Sequence, residues 1–237
     1  MKNSNEVIFV FKAQMLIKVS LKGKKLEENK MKIFLNSYRP LTLYVEGRQA
    51  ITTYNLPPFL DYSCRKEPDF MSAYPSISAL CRVGKFAPRL HEGDITVYIT
   101  CKWNYLDIKP PHWRLTAILE VFKRFETHAE AAAWYSSKGV ALPSNCMVLG
   151  NPPVPIERTA PITEFTTDLR RWDLSYQKRA RQCSVFLACN TQFMELHDPP
   201  IITGEIMRMA FNRVPGTQNP PAITTEEFNK LKRLCNI

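Results

Sequence analysis

The sequence contains little glycine, and this scarcity excludes several classes of enzyme. Only eight glycines occur in 237 residues, and they are too dispersed for the GxGxxG fingerprint of dinucleotide-binding proteins or for a phosphate-binding P-loop. A GxSxG nucleophile elbow and an HExxH zinc motif are also absent. These absences disfavour enzymes with nucleotide cofactors, α/β-hydrolases and zinc proteases, and no cofactor is expected.

Paired cysteines are missing as well. The seven cysteines are scattered, odd in number and without a CxxC pair, so the spacing of a structural zinc site is not found. No metal is expected, although a site assembled from distant residues stays an alternative. No run approaches the roughly 18 apolar residues of a spanning helix, and no secretory signal precedes the cysteines. We therefore expect reduced thiols and a cytoplasmic protein.

Charge of one sign prevails. The formal net charge is +10 and the pI is about 9.3, which favours an anionic partner. Nucleic acid is the first expectation, ahead of a membrane surface.

Residues 1–30 allow two interpretations. Leu26, Glu27 and Glu28 can be encoded by a purine-rich run that resembles a bacterial ribosome-binding site just before the Met31 codon. Residues 1–30 would then be an upstream translation extension. The alternative is a genuine β-hairpin, because VIFVF and MLIKVSL both have the composition of strands.

A strand-rich region is predicted from Met31 onward. Residues 31–47 indicate one or two strands interrupted at Pro40, and residues 56–75, with four prolines, indicate an ordered surface loop. The next predicted strands cover residues 76–83, 95–100 and 113–122.

Helices are predicted mainly after this region. Thr127 and Glu130 have capping-box spacing and Gly139 provides a C-terminal signal, which predicts a helix over 127–139. Residues 164–182 predict a second, amphipathic helix. The remaining predictions are a strand over 184–196, a short helix over 205–212 and a last helix opened by Thr224.

The loop between the first two helices has the composition of a recognition loop. Ser144, Asn145 and Asn151 offer hydrogen-bonding groups on a backbone stiffened by prolines, and asparagine amides can pair with base edges. Trp103 and Trp113 are candidates for stacking on an unstacked base. Core positions are favoured for two further tryptophans, Trp134 and Trp172. Cys146 is interpreted as a packed loop thiol and the four histidines as turn or capping residues, rather than as catalytic groups.

The outward face of the second predicted helix is basic. Arg170, Arg171, Lys178 and Arg181, which we call the basic strip, could contact phosphates or form an ordinary solvated surface. The lack of acidic residues on this strip favours phosphate contact.

Short motifs in residues 31–140 resemble a known superfamily. The polar loop Asp61, Tyr62 and Ser63, the strand residues Leu80 and Cys81, and the turn Gly93 and Asp94 are similar to the PUA-like superfamily of ASCH, EVE and YTH domains. The similarity is greatest to bacterial and phage nucleotide-modification-associated domains. The resemblance implies a small β-barrel that holds a base, sometimes a modified one, between aromatic walls. It carries over no catalytic residue.

The sequence thus predicts an α+β protein, with a PUA-like β-barrel over residues 31–160 and a helical C-terminal extension over 161–237. The expected function is noncatalytic binding of nucleic acid or a modified nucleotide, in bacterial or phage nucleic-acid modification or defence. The alternatives are an enzyme that modifies or hydrolyses bases or nucleotides in the same pocket, and a protein-interaction module. The candidate binding residues are Asp61, Ser63, Trp103, Trp113, Arg114, Ser144, Asn145, Asn151, Arg170, Arg171, Lys178 and Arg181.

Overall fold

A seven-stranded mixed β-sheet forms the centre of the fold. The computed structural model describes residues 31–80, 84–216 and 219–237, and residues 1–30, with both interpretations of them, lie outside this description. The strands are β1 (Ile33–Tyr38), β2 (Ser76–Ser78), β3 (Ile95–Thr100), β4 (Trp113–Phe125), β5 (Phe186–Met194), β6 (Ile201–Ile202) and β7 (Ala222–Ile223). Neighbouring strands follow the order β2-β5-β4-β3-β1-β7, and β6 also pairs with β4.

Six α-helices accompany the sheet in the described residues. They are α1 (Val45–Tyr54), α2 (His128–Ser137), α3 (Glu164–Thr167), α4 (Leu169–Gln182), α5 (Gly204–Phe211) and α6 (Thr225–Leu234). None of them is long and apolar enough to cross a membrane.

Both faces of the sheet are covered. Since alternate residues of a strand point to opposite sides, one strand contributes side chains to two cores. Strand β1 pairs in parallel with β3, and β3 pairs antiparallel with β4. Phe34 and Tyr98 point into a core that residues of the 56–70 segment complete, whereas Leu35 and Val97 point into a second core covered by α5 and α6. The burial of β1 and β3 on both faces agrees with their sequences, IFLNSY and ITVYIT, in which apolar residues fall on both sides of the strand.

Side-chain caps confirm the starts of two predicted helices. The Thr127 hydroxyl accepts a hydrogen bond from the Glu130 amide, and Thr224 and Glu227 form a reciprocal capping box. The helix predicted over 164–182 is interrupted at Asp168. Its carboxylate accepts hydrogen bonds from two following amides and starts α4 as a new helix.

The C-terminal part of the chain contributes strands as well as helices. Residues 161–237, predicted as a helical extension, supply α3 to α6 but also β5, β6 and β7. Residues Phe186 to Cys189 of β5 are fully buried, and β5 pairs with both β2 and β4. The chain therefore does not divide at residue 160, and Lys32–Ile237 forms one unit.

The predicted mixture of strands and helices is confirmed, whereas closure into a small barrel is not shown. Within the described residues, β2 and β7 are the ends of the strand order and do not pair with each other. The predicted surface loop over 56–75 is also largely buried, since its charged residues find partners inside the protein.

Part of the strand predicted over 31–47 is helical. Helix α1 begins at Val45 and buries only Gly47 and Ala50, so the β-type residues near its start are overridden by packing of the helix on the preceding turn. Glycine is required at position 47, because a Cβ there would lie 2.0 Å from the carbonyl oxygen of Leu41.

We expect Gly47→Ala to lower the free energy of unfolding by about 1–3 kcal/mol, because a backbone oxygen cannot move away from the added methyl group as a side chain could. Urea unfolding monitored by circular dichroism measures the change. Gly204→Ala is the matched control, since its Cβ would have no neighbour nearer than 3.7 Å, in the flexible Arg208 side chain. Equal stability of both variants and the parent would contradict this account.

Candidate functional site

Five charged residues of one loop lie inside the protein. Residues 61–69, which we call the charged loop, contain Asp61, Arg65, Lys66, Glu67 and Asp69, and each is at least 93 % buried. Buried charges are stable only when they are paired or hydrogen-bonded. The partners of these residues therefore show which other segments the charged loop organises.

Arg65 connects the charged loop to α4 and to the loop that follows α2. Its Nε and Nη2 atoms donate to the two carboxylate oxygens of Asp173 at 2.6 and 3.2 Å. Its Nη1 atom donates to the carbonyl oxygens of Ser144 and Asn151 at 2.8 and 3.0 Å. A guanidinium has the planar, forked geometry that such a bidentate contact needs. One side chain thus fixes the positions of three separate segments.

Glu67 organises the neighbouring side chains. Its carboxylate accepts hydrogen bonds from the amide and hydroxyl of Ser78 and from the side-chain amide of Asn145, the last at 3.1 Å. The oxygen of the Asn145 amide accepts from the Ser76 hydroxyl at 2.7 Å. Burial raises the pKa of Glu67 to about 8, because an ionised carboxylate loses its hydration inside the protein.

Asp61 and Lys66 hold the start of the charged loop. The carboxylate of Asp61 accepts hydrogen bonds from the amide and hydroxyl of Ser63, and Lys66 Nζ donates to the Asp61 carbonyl oxygen at 2.7 Å. Burial raises the pKa of Asp61 to about 6 and lowers the pKa of Lys66 to about 8. Asp69 completes the set, because its carboxylate accepts from the amide and hydroxyl of Ser144 at 2.7 and 2.8 Å.

An open cleft of about 770 Å³ lies beside this network. Residues 147–153, which we call the cleft loop, line it together with Asp173, Gln177, Ala180 and Arg181 of α4 and the buried side chains of Arg65 and His128. The Asn151 amide donates to the carbonyl oxygens of Pro143 and Cys146 at 2.9 and 2.7 Å. These bonds and the Arg65 contacts hold the cleft loop in place.

His128 is the first residue of α2 and lines the cleft. Its Nδ1 atom accepts a hydrogen bond from the Met147 amide at 3.1 Å, and its ring contacts the edge of Phe186. Burial, with a smaller effect of the Arg65 charge, lowers the pKa of His128 to about 4. The ring is therefore neutral at pH 7, and because Nδ1 is an acceptor the proton resides on Nε2.

The structure brings together only part of the predicted binding set. Asn151 and Arg181 line the cleft, and Arg170, Arg171 and Lys178 are exposed on α4. Three other predicted residues, Asp61, Ser63 and Asn145, are buried in the network described above and do not line the cleft. Ser144 does not line it either, and its hydroxyl donates to Asp69.

The predicted aromatic wall is not part of the cleft. Trp113 is buried in the core covered by α5 and α6, with Lys102 Nζ 4.9 Å from its ring centroid. Arg114 is buried as well and donates to the carboxylate of Asp198 and the carbonyl oxygen of Pro199. Trp103 is exposed but does not line the cleft. These residues belong to β4 and its neighbouring turn, where sheet packing determines their environment.

Sequence reasoning missed Arg65, Gln177 and His128 as residues of the cleft. The contact between Arg65 and Asp173 spans 108 positions, and that between His128 and Met147 spans 19. The density of charges in the charged loop gave no signal of burial, because charged residues are typical of surface loops. No group of three or more His, Cys, Asp or Glu residues suited to a metal ion occurs among the residues that the structure describes.

Comparison of the chain with protein-family models, curated proteins and solved structures finds no match.

The raised pKa of Glu67 predicts how stability depends on pH. Between pH 4.5 and 8 the folded state keeps a proton on Glu67 that the unfolded state releases, so the free energy of unfolding falls as pH rises through this window. Glu67→Gln removes this titration. The stability of the parent relative to the variant should therefore decrease from pH 4.5 to pH 8, by an amount on the order of a few kcal/mol.

Urea unfolding at pH 5, 6.5 and 8 measures this difference. Glu226→Gln, which alters an exposed carboxylate, is the control and should keep the pH dependence of the parent. The explanation is wrong if Glu67→Gln and the parent show parallel curves.

Proposed function

We propose that this chain binds nucleic acid without catalysing a reaction, and that the cleft accepts one unstacked nucleotide, plain or modified. The observation that carries the proposal is the position of Arg181, which lines the cleft and also belongs to the basic strip. A strand whose phosphates lie along α4 would therefore pass the opening of the cleft.

The size and lining of the cleft support a nucleotide as ligand. A volume of about 770 Å³ falls within the roughly 300–1,000 Å³ typical of small-molecule sites. Met147, Pro152, Pro153 and Ala180 provide apolar surface for the faces of a base. His128 and Gln177, whose side-chain nitrogen donates to Asp173 at 2.9 Å, provide polar groups for its edge.

The charge of α4 supports the phosphate contacts. The acidic residue within this helix is Asp173, and it is buried against Arg65. Arg170, Arg171, Lys178 and Arg181 are exposed. Cations on one helix face attract the phosphates of any strand and release counterions when they bind.

Several observations favour binding over catalysis at this site. Burial raises the pKa of the Cys146 thiol to about 12, so the nucleophilic thiolate is not formed near neutral pH. The carboxylates of Glu67 and Asp69 are engaged by serine and asparagine donors, and the carboxylate of Asp173 by Arg65. An enzyme that modifies or hydrolyses a base would need a general acid or base in the cleft. His128 is poorly suited to this role, because the Met147 amide occupies Nδ1 and burial lowers the pKa of the ring to about 4.

A PUA-like relationship and a cytoplasmic setting are part of the proposal. The predicted Gly93 and Asp94 turn precedes β3, and the Asp94 carboxylate accepts hydrogen bonds from the amides of Lys32 and His91, which supports a structural role for this motif. The six cysteines in the described residues all have free thiols, which suits a reducing compartment. The proposed setting is bacterial or phage nucleic-acid modification or defence.

The test is binding of single-stranded and duplex DNA and RNA oligonucleotides over a range of salt concentrations. The double variant Arg170→Ala with Lys178→Ala should weaken binding to every sequence and reduce the slope of log K against log salt by about 0.7–0.9 for each lost phosphate contact.

The matched control removes two exposed arginines elsewhere, Arg208→Ala with Arg233→Ala on α5 and α6, and so produces the same change in net charge. It should bind nearly as tightly as the parent. The proposal fails if no oligonucleotide binds, or if both double variants lose affinity equally. Release of a product from an oligonucleotide or nucleotide by the parent protein would favour an enzyme instead.

A further inference from the structure

His128 lines the cleft and has a buried hydrogen-bond donor without a partner among the described residues. The side chain is 95 % buried, and its Nε2 atom has no hydrogen-bond partner among the described residues. A buried polar atom without a partner destabilises the folded protein, because it has lost its hydration without gaining a hydrogen bond. On a residue that lines a cleft, such an atom is a candidate for contact with a ligand.

The state of the ring determines what this donor can recognise. The Met147 amide occupies Nδ1, so the neutral ring carries its proton on Nε2 and can only donate there. Because no described residue accepts from Nε2, a ligand can supply the acceptor. Because Thr127 caps α2 and Phe186 contacts the ring, the direction of the donor is fixed before a ligand arrives.

The surroundings favour a neutral acceptor over a phosphate. Asp173 and Arg65 both line the buried part of the cleft and pair with each other, so the Arg65 charge is already compensated and a phosphate gains little by entering there. A phosphate is better accommodated by the exposed Arg181, where its hydration is kept. Apolar surface from Met147, Pro152 and Ala180 suits a flat ring.

We infer that His128 determines base recognition in the cleft, by donating its Nε2 proton to an acceptor atom on the inward edge of an inserted nucleobase. The inference rests on the proposed function and adds the identity of the reading group and the class of atom that it reads. His128 is thus a specificity-determining residue that acts through one directional bond, and the basic strip contributes affinity for any sequence.

Substitution of His128 by each of the two amide residues distinguishes the roles of its two ring nitrogens. In His128→Asn the side-chain oxygen can take the place of Nδ1 and keep the bond from Met147, but nothing takes the place of Nε2. In His128→Gln the side-chain nitrogen reaches the place of Nε2 and keeps the donor, while the acceptor for Met147 is lost. A role in recognition and a role in holding the cleft loop therefore predict opposite orders of affinity.

The probes are a 12-nucleotide single strand of mixed sequence, as DNA and as RNA, and a DNA strand of the same length in which every base is replaced by an abasic unit. We expect His128→Asn to bind the mixed strand about tenfold more weakly than the parent and His128→Gln to stay within about threefold. All three proteins should bind the base-free strand equally. Thermal melting verifies that both variants are folded.

Each other result overturns the assignment. Weak binding by His128→Gln and parent-like binding by His128→Asn would assign His128 to holding the cleft loop. Equal loss in both variants would show that the shape of the ring matters and not its donor. Loss of binding to the base-free strand would place the contact on the backbone. If His128→Asn binds like the parent while the basic-strip variant is impaired, this inference fails and the proposed function stands; if the parent binds no strand, the proposed function fails first.

Discussion

The bidentate pair between Arg65 and Asp173 is the interaction on which the candidate site depends. It joins the charged loop to α4, and the remaining donor of Arg65 holds the carbonyl oxygens of Ser144 and Asn151. Removal of either partner would leave a buried charge without compensation, which is far more costly than the loss of a surface pair. The cleft has a defined shape because its two walls are attached to the same guanidinium group.

The rest of the charged loop follows the same constraint. Each of its carboxylates is held by short polar side chains or backbone amides, such as Ser78 and Asn145 at Glu67. Donors supplied by the protein replace the water that burial removes. The residues that satisfy this network are thereby withdrawn from ligand recognition, whereas His128, Gln177 and Arg181 are polar residues that line the cleft and do not belong to the charged loop.

Local signals predicted the elements, and long-range contacts defined the site. Helix α2 and helix α6 were predictable because a threonine cap and a glutamate three residues later act within one turn. Strand β3 was predicted with its observed bounds, since its apolar sequence needs no partner to be recognised. Asn145 was assigned to a ligand because its loop is polar and rich in proline, but Glu67, 78 positions away, engages its amide. Two residues that pair over so many positions produce no periodic pattern in a single sequence, and the same holds for Arg65 and Asp173.

The position of β5 has a consequence for how the chain is synthesised. Among the described residues, β2 pairs with β5 and makes one further bridge, between Ser76 and Asp69 of the charged loop. Ser78 and its partner Phe186 are more than a hundred residues apart. At translation rates of 5–20 residues per second, β2 and the adjoining charged loop wait roughly 5–20 s for the strand and helix that complete them. During this interval the five charged side chains of the charged loop remain in water, and they keep the nascent segment hydrated. Charges that are costly to bury in the finished protein thus protect the unfinished one from premature association.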